Sequence, residues 1–572
     1  MKRVTLIVAL LLCLVLCVFA FASCGKKKKT PTADVTGETA DQTSGKWDAI
    51  GEEVSAFASE DRKIKIQYDM SDNNNEKNPT NDLYIEGPDK ISSSSAKIDT
   101  LVFNRNKNAR DLLGVEIEYS YWNDADSVWG KQAKKIRLAV EGNDPSAPDL
   151  FIDMIYDLNK AMKTKGVFKD IKSIPGSYFD FTADGWMTEW MESLSFTGDR
   201  AYVLGSDYFL DILRGMGVLP FNMDMMNDGG SKLAKALFGA DLNAGETMSQ
   251  RFFDYVEKGD WTWDSLKKLC EAIWVDGGAK QDASDFDDTL GILVDKYSGL
   301  QSSIIVYSTG VSVIETYTIN DESDENNGKI WARYYSDSSL LGEIFDAVAN
   351  VFTGNGAYVT SSREDGKGFA EHYAKFASNT LLFAGPVVLA ALEDDAFQQM
   401  EHAWSVVPLP KASIDKEYNT VIHNIADAGA INVRTTPGKA RAITAYLQYC
   451  TENSGDIREE FLQTVTKYKT TTYNQGTDRM LDLIYDHIIT GRDKALEDVS
   501  EETSGRTSAS WMKAKDFAGG SSYVVQQYQE YLSTKQESLN EIFKKWYTLP
   551  TVETEAEIEW PTQEETSETP AS

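Results

Sequence analysis

Residues that carry metal and thiol chemistry are scarce in this chain: 572 residues hold four histidines and five cysteines. His372, His402, His423 and His487 are not spaced as a ligand pair, and no His-Glu-x-x-His motif occurs, so metal-assisted hydrolysis has little to work with. Cys13 and Cys17 fall in an apolar N-terminal run and Cys24 just after it, which leaves Cys270 and Cys450 for the folded region and no disulfide framework. Both sit on apolar faces of expected helices and read as small buried hydrophobes, with a single bridge between them left open. The Gly-x-Ser-x-Gly elbow of serine hydrolases and the Gly-x-x-x-x-Gly-Lys phosphate loop are missing as well. Ser510-Trp511-Met512-Lys513 fits Ser-x-x-Lys, but without its Ser-Asp-Asn and Lys-Thr-Gly companions it is a chance match. Excess positive charge is absent too: the formal net charge is −32, which makes nucleic acid a poor partner. The acidic runs (Asp282 to Asp288, Asp321 to Glu325, Asp394 and Asp395) read as solvated surface, since none has calcium-loop spacing. After the N-terminus no apolar run is long enough to cross a bilayer; LLFAGPVVLAAL at 381–392 is short and broken by Gly385 and Pro386. No cofactor and no bond chemistry are expected.

What is there begins with MKRVTLIVALLLCLVLCVFAFASCG. Two basic residues, one apolar run, and small Ala22 and Ser23 before Cys24 make a lipoprotein export signal, with Phe21 where such motifs usually carry Leu. Cys24 would become the lipidated N-terminus of the mature chain. Lys26 to Lys29 favour an anionic lipid surface, and residues 24–60, rich in Thr, Ser, Gly and acids, read as a flexible stalk. The expected location is the extracytoplasmic face of the cell membrane.

The remainder has room for two to four domains of roughly 100 to 200 residues each. Short apolar runs alternate with helical patterns, which predicts an α/β fold. Val115 to Tyr121 and Leu150 to Met154 read as strands around a helix through Trp129 to Val140, and a right-handed crossover makes them parallel. Such sheets bind ligands beyond the carboxyl ends of their strands, which points to Tyr156 and Asp157. Two further helices are predicted. One starts at Thr262 with Leu266, Leu269, Cys270 and Ile273 as its apolar stripe; the other is capped by Thr436 with Pro437 in its first turn and Ile443, Tyr446, Leu447 and Cys450 buried.

Read in order, PDLFIDM, KGVFKDI, GDRAYVLGSDY, LPFNMDMMN, GDWTWDSLKKL, LLFAGPVVL and WSVVPLPKAS resemble successive blocks of family 1 extracellular solute-binding proteins of ABC importers, the lipoprotein relatives of maltose-binding protein. The resemblance runs from about residue 100 to 490. KIDTLVFNRNKNARDLLGVEIEY is similar to a clostridial subgroup, which implies a Gram-positive source. The family implies a type II periplasmic-binding-protein fold of two α/β lobes, each a mostly parallel sheet flanked by helices, joined by hinge strands that close on ligand. On that basis GDRAYVLGSDY supplies a strand ending at Gly205 that crosses between lobes, and WSVVPLPKA the return, held extended by Pro408 and Pro410. The implied organisation is a signal at 1–23, a stalk at 24–60, a first lobe at 61–206 and 409–455, a second at 207–408 and 456–549, and an acidic tail at 550–572.

The resemblance also implies a role: a monomer that captures a small solute, an oligosaccharide by preference, and hands it to ABC permease subunits. Sugars need aromatic platforms and polar side chains. The implied ligand residues are Tyr156, Asp157, Asp207, Tyr208, Asp295, Lys296, Tyr297, Gly385 and His423. Val387 and Val388 stand where sugar-binding members place a Trp, and Trp511 is the candidate replacement. Each has a plainer reading. The tyrosines could be packing, Asp207 and Asp295 could be solvated or cap helices, and Trp186, Trp190, Trp261 and Trp263 read as scaffold. A sensor or adhesin of the same fold, and a glycosidase with paired carboxylates, are the alternative roles.

Overall fold

A computed structural model describes residues 39–68, 82–122, 131–142, 146–163, 166–194, 200–277, 284–296, 298–310, 314–334, 338–360, 370–467, 475–490 and 514–548. Cys24, Tyr297, Trp511 and the acidic tail lie outside these residues. The chain divides into two units between Ala49 and Ile50. The stretch that reads from its composition as a flexible stalk carries a helix at Thr39–Ser55. Its last turns carry Ile50 and Val54 at helical spacing, and Val54 is fully buried.

Two sheets organise residues 50–572. Their strands are β1 (Lys63–Tyr68), β2 (Glu116–Tyr121), β3 (Leu150–Met154), β4 (Gly217–Asn222), β5 (Leu290–Asp295), β6 (Ala357–Thr360), β7 (Leu381–Phe383), β8 (Val387–Val388), β9 (Trp404–Val407) and β10 (Asp427–Ile431). The first sheet has the order β10-β3-β1-β2, and the second β8-β4-β7-β5-β6 with β9 also paired to β4. β2 and β3 are parallel as predicted, but β1 lies between them. In the second sheet β5 is parallel to β6 and β7, whereas β4 runs antiparallel to β7, β8 and β9. β3, β4 and β5 are buried along their whole length, as strands covered on both faces must be.

The helices used below are α1 (Lys131–Glu141), α2 (Ile155–Ala161), α3 (Trp263–Ile273), α4 (Gly299–Ser308), α5 (Pro437–Glu452), α6 (Gly455–Lys467) and α7 (Gln475–Asp486). Both helices placed from sequence start where expected. The Thr262 hydroxyl accepts the Ser265 N–H, the Thr436 hydroxyl accepts that of Lys439, and Pro437 occupies the first turn. Cys270 and Cys450 are buried free thiols on these helices, so no bridge joins them.

The expected strand ending at Gly205 is not formed. Residues 200–206 make only isolated bridges, Leu204 to Gly429 and Ser206 to Trp186. Gly205 itself lies against Trp190, where a Cβ would come within 2.4 Å of the ring, and the chain turns at once. Trp186, Trp190, Trp261 and Trp263 are all buried. Trp261 shows what these side chains do: its Nε1 donates to the Pro408 carbonyl at 3.0 Å, and its ring packs against Phe252 and Phe383. Among the described residues, no helix is long and apolar enough to cross a membrane.

Candidate functional site

The chain passes between the two sheets along paths that meet at one place. β10 begins with Asp427 opposite Met154, the last residue of β3, so it enters the first sheet at the carboxyl edge of the parallel strands. In the second sheet β9 ends at Val407 beside Leu219, and β4 starts at Gly217. β5, β7 and β9 run together against β4, so this edge also carries the carboxyl ends of β5 and β7. The crossings 205–216 and 408–426 are tied together by His423 N–H donating to Gly215 O (2.8 Å), by a bridge between Met216 and Ile422, and by Asp427 N–H donating to Asp211 Oδ2 (2.9 Å). They thereby join the carboxyl edges of both sheets, the position at which open α/β sheets bind ligands.

On the first-sheet side this edge is polar and buried. Asp153, Asp157, Asn424 and Asp427 are all nearly or fully buried. Burial, reinforced by the charges of Asp157 and Asp427, pushes the Asp153 carboxyl well above the ordinary carboxylate range. Asp157, on α2, accepts the Ala133 N–H at 2.8 Å and so anchors the first turn of α1. Tyr156 is fully buried; its N–H donates to the Asn424 carbonyl, and Lys160 Nζ lies 4.8 Å from its ring centroid. In the same turn of α1, Gln132 is 1% exposed, and neither its Oε1 nor its Nε2 has a hydrogen-bond partner.

The second-sheet side has a matching feature. Asp295 ends β5 fully buried, and its N–H donates to Gln301 Oε1 at 2.7 Å. That bond fixes the amide orientation of Gln301, whose Nε2 is buried without a partner. Ser302 and Ser303 beside it also bury unpartnered hydroxyls. Gly385 follows β7 with φ +83°, and a Cβ there would meet the Leu293 carbonyl at 2.3 Å and Gln301 Nε2 at 3.1 Å. Lys296 N–H donates to the Thr360 carbonyl, closing the ends of β5 and β6.

The sequence-derived residues therefore fall into three groups. Tyr156, Asp157, Asp295, Lys296, Gly385 and His423 lie at the carboxyl edges or the crossings; the first five stand against neighbouring elements, and His423 Nδ1 accepts the Ile425 N–H at 3.3 Å. Asp207 and Tyr208, at the start of the first crossing, have their side chains turned into the fold: Asp207 is bound by Arg458 and Tyr485, and the Tyr208 ring packs edge-on to Phe209 and Tyr446 under the Arg105 guanidinium. Tyr297 and Trp511 are outside the described residues. Gln132, Gln301, Ser302 and Ser303 were not among the sequence candidates. Ser298-x-x-Gln301 directly after the β5 run is a helix-start pattern that could have drawn attention to Gln301, although its side chain serves Asp295 rather than the cap. Among the described residues no group of three or more His, Cys, Asp or Glu side chains is arranged to hold a metal ion.

No protein-family model matches the chain, and no curated protein matches it in sequence. Solved structures do resemble it. A family 1 extracellular solute-binding protein from Bifidobacterium longum subsp. infantis is 12% identical, covering 84% of this chain and 98% of its own, with a TM-score of 0.44. The GacH receptor of Streptomyces glaucescens is 12% identical over 82% of this chain and 98% of its own, TM-score 0.40. A chain from the directed evolution of a de novo designed esterase is 10% identical over 84% and 99%, TM-score 0.45.

Proposed function

We propose that this protein is a lipid-anchored extracytoplasmic binding protein that captures a small solute, an oligosaccharide by preference, and delivers it to an ABC permease. One observation carries the reading: the crossings join the carboxyl edges of both sheets, and each edge holds a buried amide with unused hydrogen-bonding capacity, Gln132 on one side and Gln301 on the other. Buried polar groups are nearly always paired, so two such amides at a place suited to ligands are best explained by a ligand that completes them. Primary amides both donate and accept, which suits hydroxyl-rich solutes. The export signal, the acidic surface and the block pattern of the sequence support the same role.

In this reading the first lobe (61–206 and 409–455) carries the β1–β3 and β10 sheet, the second (207–408 and 456–549) the other. The Gly215–His423 region is the hinge. Ligand favours the closed form only through its higher affinity for that form, and the permease reads the closed surface. The protein acts as a monomer without cofactor, and ATP hydrolysis belongs to a separate subunit.

The test is a thermal-shift screen of the detergent-solubilised full chain against mono-, di- and oligosaccharides, amino acids and peptides. A ligand at about 100 times its dissociation constant adds about 2.7 kcal/mol. A raised melting temperature with one sugar class is the expected outcome. A response confined to amino acids or peptides overturns the sugar assignment, and no response to any solute overturns the binding role.

A further inference from the structure

A hollow of about 220 Å³ lies on the first-sheet side of the molecule and is lined by Lys172, Ser177, Phe179, Phe181, Thr188 and Glu192, among others. Its place separates it from the edge described above. Lys169 N–H donates to the Ile431 carbonyl and Ile171 N–H to that of Ala201, and Ile431 pairs with Leu150, the first residue of β3. The hollow therefore belongs to the amino edge of the first sheet, whereas Gln132 and Asp157 belong to the carboxyl edge.

Its walls are rigid and aromatic. Phe179 and Phe181 are only half-buried, with ring centroids 5.1 Å apart, and each meets Trp186 edge-on at 5.2 Å. Trp186 is fixed by its Nε1 bond to Gln448 Oε1 at 3.0 Å, and the same oxygen accepts the Asp180 N–H between the two phenylalanines. The Thr188 hydroxyl donates to the Phe181 carbonyl. The aromatic loop is thus held in place from both sides while part of its ring surface stays open to solvent. Across the rim Lys172 Nζ pairs with Glu192 Oε1 at 2.8 Å, which sets a cationic donor and an anionic acceptor beside apolar ring faces.

We propose that this hollow is a binding site for one pyranose ring of a carbohydrate, separate from the site at the carboxyl edges. A pyranose has an apolar face of C–H groups and an equatorial rim of hydroxyls, each donor and acceptor. The phenylalanine faces match the first, and the Lys172–Glu192 pair with Ser177 matches the second. A purely apolar ligand would leave the charged rim idle, and an anion would meet Glu192. The site does not depend on what the carboxyl-edge site binds.

Saturation-transfer NMR on the detergent-solubilised full chain, with D-glucose, D-mannose, D-galactose and D-xylose as separate probes, tests the assignment. Three variants are compared: Phe179→Ala with Phe181→Ala, Lys172→Ala with Glu192→Ala, and Gln132→Met. Transfer from at least one sugar is expected to fall several-fold in the wall and rim variants and to persist in Gln132→Met. The rim variant touches only exposed charges, so it keeps the test valid should the wall variant fold poorly. Absence of transfer from all four sugars overturns the proposal. So does transfer that the rim variant leaves unchanged, or that Gln132→Met alone abolishes; the last result would place the sugar at the carboxyl edge.

Discussion

Arg458, on α6, donates from Nη1 to Asp207 Oδ2 at 2.8 Å, while Tyr485, on α7, donates its hydroxyl to Asp207 Oδ1 at 2.7 Å. Asp207 lies at the start of the first crossing, directly after Ser206, and is 1% exposed, and the Arg458 guanidinium also lies over the Tyr485 ring at 4.4 Å. One buried carboxylate thus clamps two C-terminal helices to the start of a crossing. Burial raises its pKa, and Arg458 and Tyr485 offset part of that rise.

Arg458→Ala should accordingly be far more damaging than loss of a surface ion pair. It leaves a buried charge uncompensated, and breaking such a pair costs about 3–5 kcal/mol. Urea denaturation should show the midpoint drop at an unchanged slope. An unaltered midpoint would mean that Asp207 is hydrated in solution and free to serve as a ligand contact after all.

Asp153 makes stability depend on pH in the direction opposite to most carboxylates. Its folded-state pKa is raised by burial and by the charges of Asp157 and Asp427, so the folded form holds the proton more tightly than the unfolded one. The stabilisation is complete below the ordinary carboxylate pKa of about 3.9 and is lost as pH rises through the folded value. Asp153→Asn removes the ionisable group and leaves an acceptor for the Met154 N–H, which Asp153 Oδ1 now takes at 2.9 Å. The variant should gain on the wild type in melting temperature from about pH 4 towards neutrality. A difference in melting temperature that stays constant with pH would falsify this account.

Much of the fold can be read in the sequence because its signals are local. The Thr262 and Thr436 caps and the apolar Leu290–Val294 run of β5 follow from neighbours a few residues away, and the burial of four tryptophans from their side-chain type. The insertion of β1 between β2 and β3 has no local signal, because strand order is settled by packing of segments far apart in sequence. The site is less legible for the same reason. Asp207 has the residue type of a sugar contact, yet its partners are Arg458 and Tyr485, more than 200 positions away in the chain. Gln132 lies in the first turn of an ordinary amphipathic helix, and only the enclosure of its amide in three dimensions sets it apart.

Gly385 offers a check on the backbone at the second-sheet edge. Its φ of +83° is one that side-chain-bearing residues rarely adopt, and a Cβ would sit 2.3 Å from the Leu293 carbonyl, a backbone atom that cannot rotate away. Gly385→Ala should therefore destabilise the protein by more than about 1 kcal/mol, beyond the gain from a stiffer unfolded chain. Equilibrium urea melts resolve a loss of this size. A neutral or stabilising result would place the loop in another conformation in solution.

The sharpest test of the carboxyl-edge site is Gln132→Met, because it separates structure from ligand binding by sign. Both polar atoms of the Gln132 amide are buried and unpartnered, and a buried group without a partner costs about 1–3 kcal/mol. Methionine has similar volume and no such demand, so the ligand-free variant should be at least as stable as the wild type. If the amide exists to bind solute, affinity should fall about tenfold, the equivalent of about 1.4 kcal/mol. Calorimetry on any solute found in the thermal-shift screen, paired with urea melts of the free protein, measures both quantities. The opposite pattern, lower stability with unchanged affinity, would show that ordered water completes the Gln132 hydrogen bonds and that its place at the edge is purely architectural.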